Sequence, residues 1–435
     1  MCSLSGWGGT FIMNYKELKF IDEKLYETEI NGLRVFYIPK KGFTKSYAIL
    51  TSDFGSKDVE FSIDGGQNFK KYPEGIAHFL EHKMFEMPGG LNVFNRFTEQ
   101  GASVNAFTNN HQTSYYFSTT NHFMENLSLL LDMVFTPHLT EENVEKEKGI
   151  IAEEIKMYDD HPGFRGYIEA LKSMYFTHPV REDIAGTVES IYKLTAQDLI
   201  ECYEAFYHPE NMILVLVGDI PMEEAVLLLQ EKVKRGEKLH LVKRTYIEPQ
   251  HVNKGASSLN MGLQVPNYIY GIKVLPESPN LMKESLTGTL MMKLVFGSTS
   301  VFYEDMLKEG IINDSFSSEF NLGSDHGEIF MGGESKEPQK VLDTIEAYIE
   351  KVLADEAFFD GQQEAVERIK KSMTGSFVNV FNSVDRIGVT TTGMLLHGED
   401  VFSYVDTLKE IHTADVKASF QRVFQKDHAV QIIIS

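Results

Sequence analysis

Cysteine is nearly absent from this chain: Cys2 and Cys202 are the only two in 435 residues. Two thiols cannot build a disulfide framework or a four-cysteine metal cage, and such sparing use suits a reducing compartment. Any metal must then be held by histidine and carboxylate. Positive charge is scarce too, with 41 Lys and Arg against 63 Asp and Glu, a formal net charge of −22. Wrapping a polyphosphate backbone would work against that field, so nucleic acid is not an expected partner. No stretch approaches ~18 uninterrupted apolar residues, and the N-terminus lacks a basic segment followed by a long apolar one. The expectation is a cytoplasmic protein with no membrane partner, whose translation could start at Met13.

What is present is a globular balance, 42% hydrophobic and 24% charged, in a length that suits two domains of roughly 200 residues. "INGLRVFYIPKKGFTKSYAILTSDFGS" alternates apolar and polar residues around a Pro-Lys-Lys-Gly break, as a strand pair would. "EGIAHFLEHKMFE" carries apolar residues at helical spacing and is stopped by Pro88-Gly89-Gly90. "GASVNAFTNNHQTSYYFSTT" reads as two strands turning at Asn109-Asn110, followed by a helical region from about Phe123 to Asp159.

An internal repeat organises the rest. "LTAQDLIECYEAFYHPENMILVLVG" (194–218) matches "IHTADVKASFQRVFQKDHAVQIIIS" (411–435) at a spacing of 217, each a polar cap, an amphipathic helix, a turn and an apolar strand. Asp198 falls on Asp415, Tyr207 on Phe424 and Val215 on Ile432. The expected fold class is α+β in two structurally similar halves, each a mostly antiparallel sheet packed with helices. The first half should span 1–232 and the second, a non-catalytic repeat, 251–435, joined by the basic stretch 233–250.

On a helix, positions four apart share a face, so His78 and His82 can aim two imidazoles at one point, the bite a zinc ion needs. Glu81 adjoins them and is placed to serve as a general base toward a water held there. Two imidazoles need one more protein ligand, and "EENVEKEKGIIAEEIKMYDD" offers it: Glu147 and Glu154, seven apart, differ by only ~20° around a helix of 3.6 residues per turn. Glu154 can bind while Glu147 supports a histidine from behind. Set against this is the plain reading of a solvated acidic helix face. His122, His138, His178 and His208 stand singly and read as structural or solvent-facing.

Together "HFLEHKMF", "GASVNAFTNNHQTSYY" and "EKEKGIIAEEI" resemble the inverted zincin (His-x-x-Glu-His) peptidases of the pitrilysin type, in the two-domain branch that includes mitochondrial processing peptidase. The resemblance covers nearly the whole chain and implies a processing-peptidase-like metallohydrolase fold, bacterial in type. It implies Zn2+ held by His78, His82 and Glu154, with Glu81 as base, Glu147 in support and Glu153 as the alternative third ligand. It further implies a zinc-dependent endopeptidase for short or unfolded peptides, in which Glu81 activates a zinc-bound water against the scissile carbonyl. Asn105 and Ala106 would lie on an edge strand that pairs with an extended substrate.

Two departures stand out. The family's second-half Arg and Tyr, seven residues apart, correspond here to "EDMLKEGIINDSFSSEF", with Lys308 near the first position and Asp314 near the second. His111 stands where relatives often carry an acidic residue. The expected partner is therefore a paralogous subunit that lacks the zinc motif and supplies the missing pair, forming a heterodimer, or otherwise a homodimer. The alternative is a non-catalytic scaffold or peptide-binding subunit of the same fold.

Overall fold

The computed structural model describes residues 13–88, 91–237 and 240–435. Cys2, the two glycines of the expected stop after Pro88, and residues 238 and 239 of the expected joint lie outside these. The described chain forms two compact units, one of segments up to Ile155, Asp183–Thr245 and Phe377–Phe402, the other of Lys156–Glu182, Tyr246–Ser376 and Ser403–Ser435.

The first unit is built on a seven-stranded sheet. Its strands are β1 (Asn14–Leu18), β2 (Glu23–Ile30), β3 (Leu33–Pro39), β4 (Ser46–Ser52), β5 (Ala102–Thr108), β6 (Thr113–Thr119) and β7 (Met212–Gly218), in spatial order β1-β2-β3-β7-β4-β6-β5. Every residue of β4 and β7 is buried, as the unbroken apolar run "MILVLVG" of β7 requires of a strand covered on both faces. The second unit holds five strands, β8 (Ala256–Leu259), β9 (Asn267–Val274), β10 (Ser317–Leu322), β11 (Gly327–Glu334) and β12 (Ala429–Ile434), ordered β8-β12-β9-β11-β10.

The sequence repeat is a repeat of topology. In β3-β7-β4-β6-β5 the first pair is parallel and the rest antiparallel, and β8-β12-β9-β11-β10 reproduces that pattern pair for pair. The helix Ala196–Phe206, shifted by 217, lands on Thr413–Val423, and Met212 at the start of β7 lands on Ala429 at the start of β12. Asp198 and Asp415 both close a capping box at their helix starts. The chain is an α+β protein of two similar halves.

The principal helices are α1 (Ile76–Lys83), α2 (Phe123–Phe135), α3 (Glu141–Asp159), α4 (Pro162–Met174), α5 (Ala196–Phe206), α6 (Val384–Leu396) and α7 (Thr413–Val423). The strands expected as a pair around the Pro-Lys-Lys-Gly break, β3 and β4, are not neighbours, because β7 lies between them and pairs with both. The helical region expected over 123–159 is two helices, divided by a non-helical segment that contains Pro137. The units do not follow chain order as halves 1–232 and 251–435 would. Helix α4 packs on β9 and β12 of the second sheet, while α6 packs on β4 and β7 of the first. Gly388 of α6 permits this approach, since a Cβ there would come within 2.4 Å of the Tyr47 ring. The expected joint 233–250 also carries structure: Val242–Lys243 pairs with Glu60–Ser62, and Lys243 Nζ reaches Asp53 at 2.8 Å and Asp58 at 3.0 Å.

Candidate metal centre

Helix α1 begins without a side-chain cap, at Gly75, whose φ is 90°. A Cβ at this position would also lie 2.3 Å from the carbonyl oxygen of Ala185, so backbone conformation and space both demand glycine. From there Ile76, Ala77, Phe79 and Leu80 are buried, and α1 lies against β5 and β6. Helix α3 buries Val144, Ile151 and Ile155, at spacings of seven and four residues, which leaves Glu147 and Glu154 together on its flank.

The two helices bring the expected groups together. His78 Nε2 lies 3.7 Å from Glu154 Oε1, and His82 Nε2 lies 3.3 Å from Glu154 Oε2. The imidazole centroids are 4.5 Å apart with planes inclined at 65°. One donor atom from each of His78, His82 and Glu154 falls within 4.8 Å of the others. Zinc bonds of about 2.0–2.1 Å in tetrahedral geometry set ligand atoms ~3.4 Å apart, close to the 3.3 and 3.7 Å that separate the Glu154 oxygens from the two imidazoles, so the residue types and spacing suit that ion. Glu147 Oε1 is 3.1 Å from His82 Nδ1; a proton on that nitrogen leaves the Nε2 lone pair facing the centre.

The electrostatics favour a cation. Burial alone would lower the His82 pKa, but the Glu147 and Glu154 carboxylates outweigh it and lift the ring to about 9. The field that would hold a second proton on His82 can hold a divalent cation in its place. Burial, reinforced by the neighbouring His82, pushes His78 down toward the neutral form that binds metals. Glu154 is held below the usual carboxylate range, chiefly by its hydrogen bond to His82.

Glu81 is partly buried. Burial raises its pKa, opposed by a 2.6 Å hydrogen bond donated by Thr108 Oγ1 to Glu81 Oε2. Thr108 in turn lies 3.3 Å from Thr113 Oγ1, and Tyr115 and Tyr207 share a buried hydroxyl contact of 2.7 Å.

Glu153, the alternative ligand, is exposed and stands outside the His78, His82, Glu154 group. Asn105 and Ala106 lie on β5, the last strand of the first sheet, whose outer edge pairs with no strand among the described residues. Lys308 is exposed and pairs with Glu304 at 2.6 Å, and Asp314 lies exposed in a turn. His111 stacks edge-on against His397 at 5.0 Å.

Sequence reasoning missed Lys83 and Thr108. Lys83 is wholly buried, with its ammonium at Glu86, at the Asn143 carbonyl (3.2 Å) and at Glu147 Oε2 (3.5 Å). A lysine directly after the second histidine was the available signal; Thr108 gave none, because its contact with Glu81 crosses from strand to helix.

His178 was read as standing alone, yet it lies with Asp325 and His326 in a second group of potential ligands. Its Nδ1 accepts the Val180 N–H at 3.1 Å, so a neutral ring presents Nε2–H to Asp325, 3.4 Å away. Asp325 also meets His326 Nδ1 at 2.8 Å. That arrangement is a hydrogen-bonded knot in which His178 has no lone pair left for a metal.

Among the described residues no helix is long and apolar enough to cross a membrane. The α+β repeat carries a two-histidine, one-carboxylate group of potential metal ligands, and comparison with known proteins gives its family. The family model "Insulinase (Peptidase family M16)" matches residues 59–188, and "Peptidase M16 inactive domain" matches 193–373. Over 422 residues the chain is 38% identical to the Bacillus subtilis (strain 168) protein named uncharacterized zinc protease YmfH, covering 94% of this chain and 96% of that one. A solved candidate M16-like peptidase from Alicyclobacillus acidocaldarius superposes with a TM-score of 0.88 at 32% identity, over 98% of this chain and 99% of that one. A protease structure from Helicobacter pylori shares the fold, at a TM-score of 0.76 and 18% identity over 98% of this chain and 99% of that one. This chain belongs to peptidase family M16.

Proposed function

We propose that the chain is a zinc-dependent endopeptidase that hydrolyses short or unfolded peptides. The supporting observation is the convergence of His78 Nε2, His82 Nε2 and the Glu154 carboxylate beside the partly buried Glu81. His78, His82 and Glu154 would hold the ion, with Glu147 fixing the tautomer of His82. Zinc, when bound, supplies a Lewis acid that polarises a carbonyl and acidifies water. Glu81 takes a proton from the water that attacks the scissile carbonyl carbon and returns it to the amine nitrogen as the C–N bond breaks. Asn105 and Ala106, on the edge strand β5, offer backbone to an extended substrate, which excludes stably folded chains.

Neither Lys308 nor Asp314 provides the guanidinium and phenol expected of a complete second half. Losing such oxyanion donors costs roughly 2.7–4 kcal/mol of transition-state stabilisation. The proposal therefore includes a paralogous subunit, lacking the zinc motif, that supplies them in a heterodimer, with a homodimer as the other arrangement. A reducing, cytoplasmic setting accords with Cys202, which is buried and free.

The test is cleavage of a mixed peptide library by the purified, zinc-loaded chain, read by mass spectrometry, with Glu81→Gln as control. Zinc-dependent cutting abolished by that substitution is the expected result, either alone or on adding a paralogue. A chain that takes up no zinc overturns the reading; zinc uptake without cutting under either condition leaves a binding or scaffold subunit.

A further inference from the structure

A buried lysine next to a metal ligand needs a reason, since an apolar residue of similar length would fill the space without bringing a charge out of water. Lys83 is 0% exposed and immediately follows His82 on α1. Consecutive helix positions diverge by about 100°, yet both side chains end on one carboxylate: His82 Nδ1 on Glu147 Oε1 at 3.1 Å, Lys83 Nζ on Glu147 Oε2 at 3.5 Å. The same ammonium reaches the Asn143 carbonyl at 3.2 Å, one turn earlier on α3, and pairs with Glu86 beyond the end of α1. Lys83 therefore grips two successive turns of α3, at 143 and 147. Glu154 stands two further turns along the same rigid helix, so the grip sets the rotation at which it meets His78 and His82.

We infer that Lys83 is a positioning residue for the metal centre, locking Glu147 and the register of α3 against α1 so that His82 and Glu154 converge. The inference rests on the zinc reading of that centre. Without the ammonium, Glu147 Oε2 loses its cationic partner and the carboxylate is free to turn away from His82. Partners that orient metal ligands typically affect metal affinity by about 10–100-fold.

The experiment measures zinc affinity of the full chain by competition with a chromophoric chelator, alongside thermal melting of the metal-free protein. Lys83→Met is expected to weaken zinc binding by about tenfold or more, and Lys83→Arg, which keeps a buried cation, to recover part of the loss. A purely structural lysine would lower the metal-free melting temperature and leave the affinity of the folded protein within about twofold, the result that overturns the inference. Should Lys83→Met not fold, Lys83→Met with Glu86→Met removes both ends of the outer ion pair and is held to the same expectation. If wild-type protein binds no zinc, the reading of the centre has failed; if wild type binds zinc and both Lys83 variants bind as tightly, only the inference has.

Discussion

Thr108 Oγ1 donates a 2.6 Å hydrogen bond to one oxygen of Glu81, tying the carboxylate on α1 to the edge strand β5. One oxygen is thereby immobilised, and the other is left for a proton. Thr108→Val should keep the zinc content of the protein and lower kcat on the order of tenfold, a fraction of the ~10²–10⁴ that a positioned base contributes. Thr108→Ser should restore most of it, because the hydroxyl and not the methyl makes the contact. Steady-state kinetics beside metal analysis would check this; unchanged kcat in the valine variant would discount the tie.

Glu154 and Glu153 are adjacent in sequence, but only the first joins the histidines. Glu154→Gln should lose zinc more severely than the ~10–100-fold typical of a supporting partner. Glu153→Gln should bind as wild type does. Elemental analysis after dialysis against a weak chelator separates the two, and equal zinc loss in both would contradict the geometry.

Gly75 sets the start of α1 with φ at 90° and a carbonyl 2.3 Å from where a Cβ would stand. Gly75→Ala adds backbone strain of about 1–3 kcal/mol and pushes α1 off the 185–186 turn. A lower thermal midpoint together with weakened zinc binding is expected in one variant, although residue 75 stands outside the His78, His82 and Glu154 group.

In the second unit, Glu328 sits across the sheet from Lys273, yet Lys273 bonds Glu248 instead, at 2.7 Å. Burial raises Glu328 from 4.5 to about 7, only partly opposed by Asn321. Between these values the folded state holds a proton that the unfolded state has released, so stability falls as pH rises from about 4.5 to 7. The full effect is up to about 3 kcal/mol. Glu328→Gln should flatten that slope and gain stability over wild type at pH 8 relative to pH 5, as chemical denaturation at the two pH values would show.

Much of the centre was legible in the sequence because helical geometry is local. Four residues from His78 to His82 and seven from Glu147 to Glu154 fix angles within single helices, and no tertiary contact alters them. The repeat was legible for a similar reason: cap, helix, turn and strand each leave a local signature, and the spacing of 217 reproduces the observed helix to the residue and the start of the strand after it. Less was visible where two elements meet. A periodic pattern shows that α4 and α6 each have an apolar face but not which sheet covers it, and here they pack on the second and first sheets respectively.

The sequence by itself therefore determined the class of fold, the metal-binding spacing on α1 and the pair of carboxylates on α3. Tertiary structure alone decided that Glu154 and not Glu153 turns toward the histidines, that Lys83 is driven inside to grip α3, and that Thr108 holds Glu81. Which side chains meet where two elements cross is decided by tertiary packing, a sum over many contacts distant in sequence that no local spacing encodes.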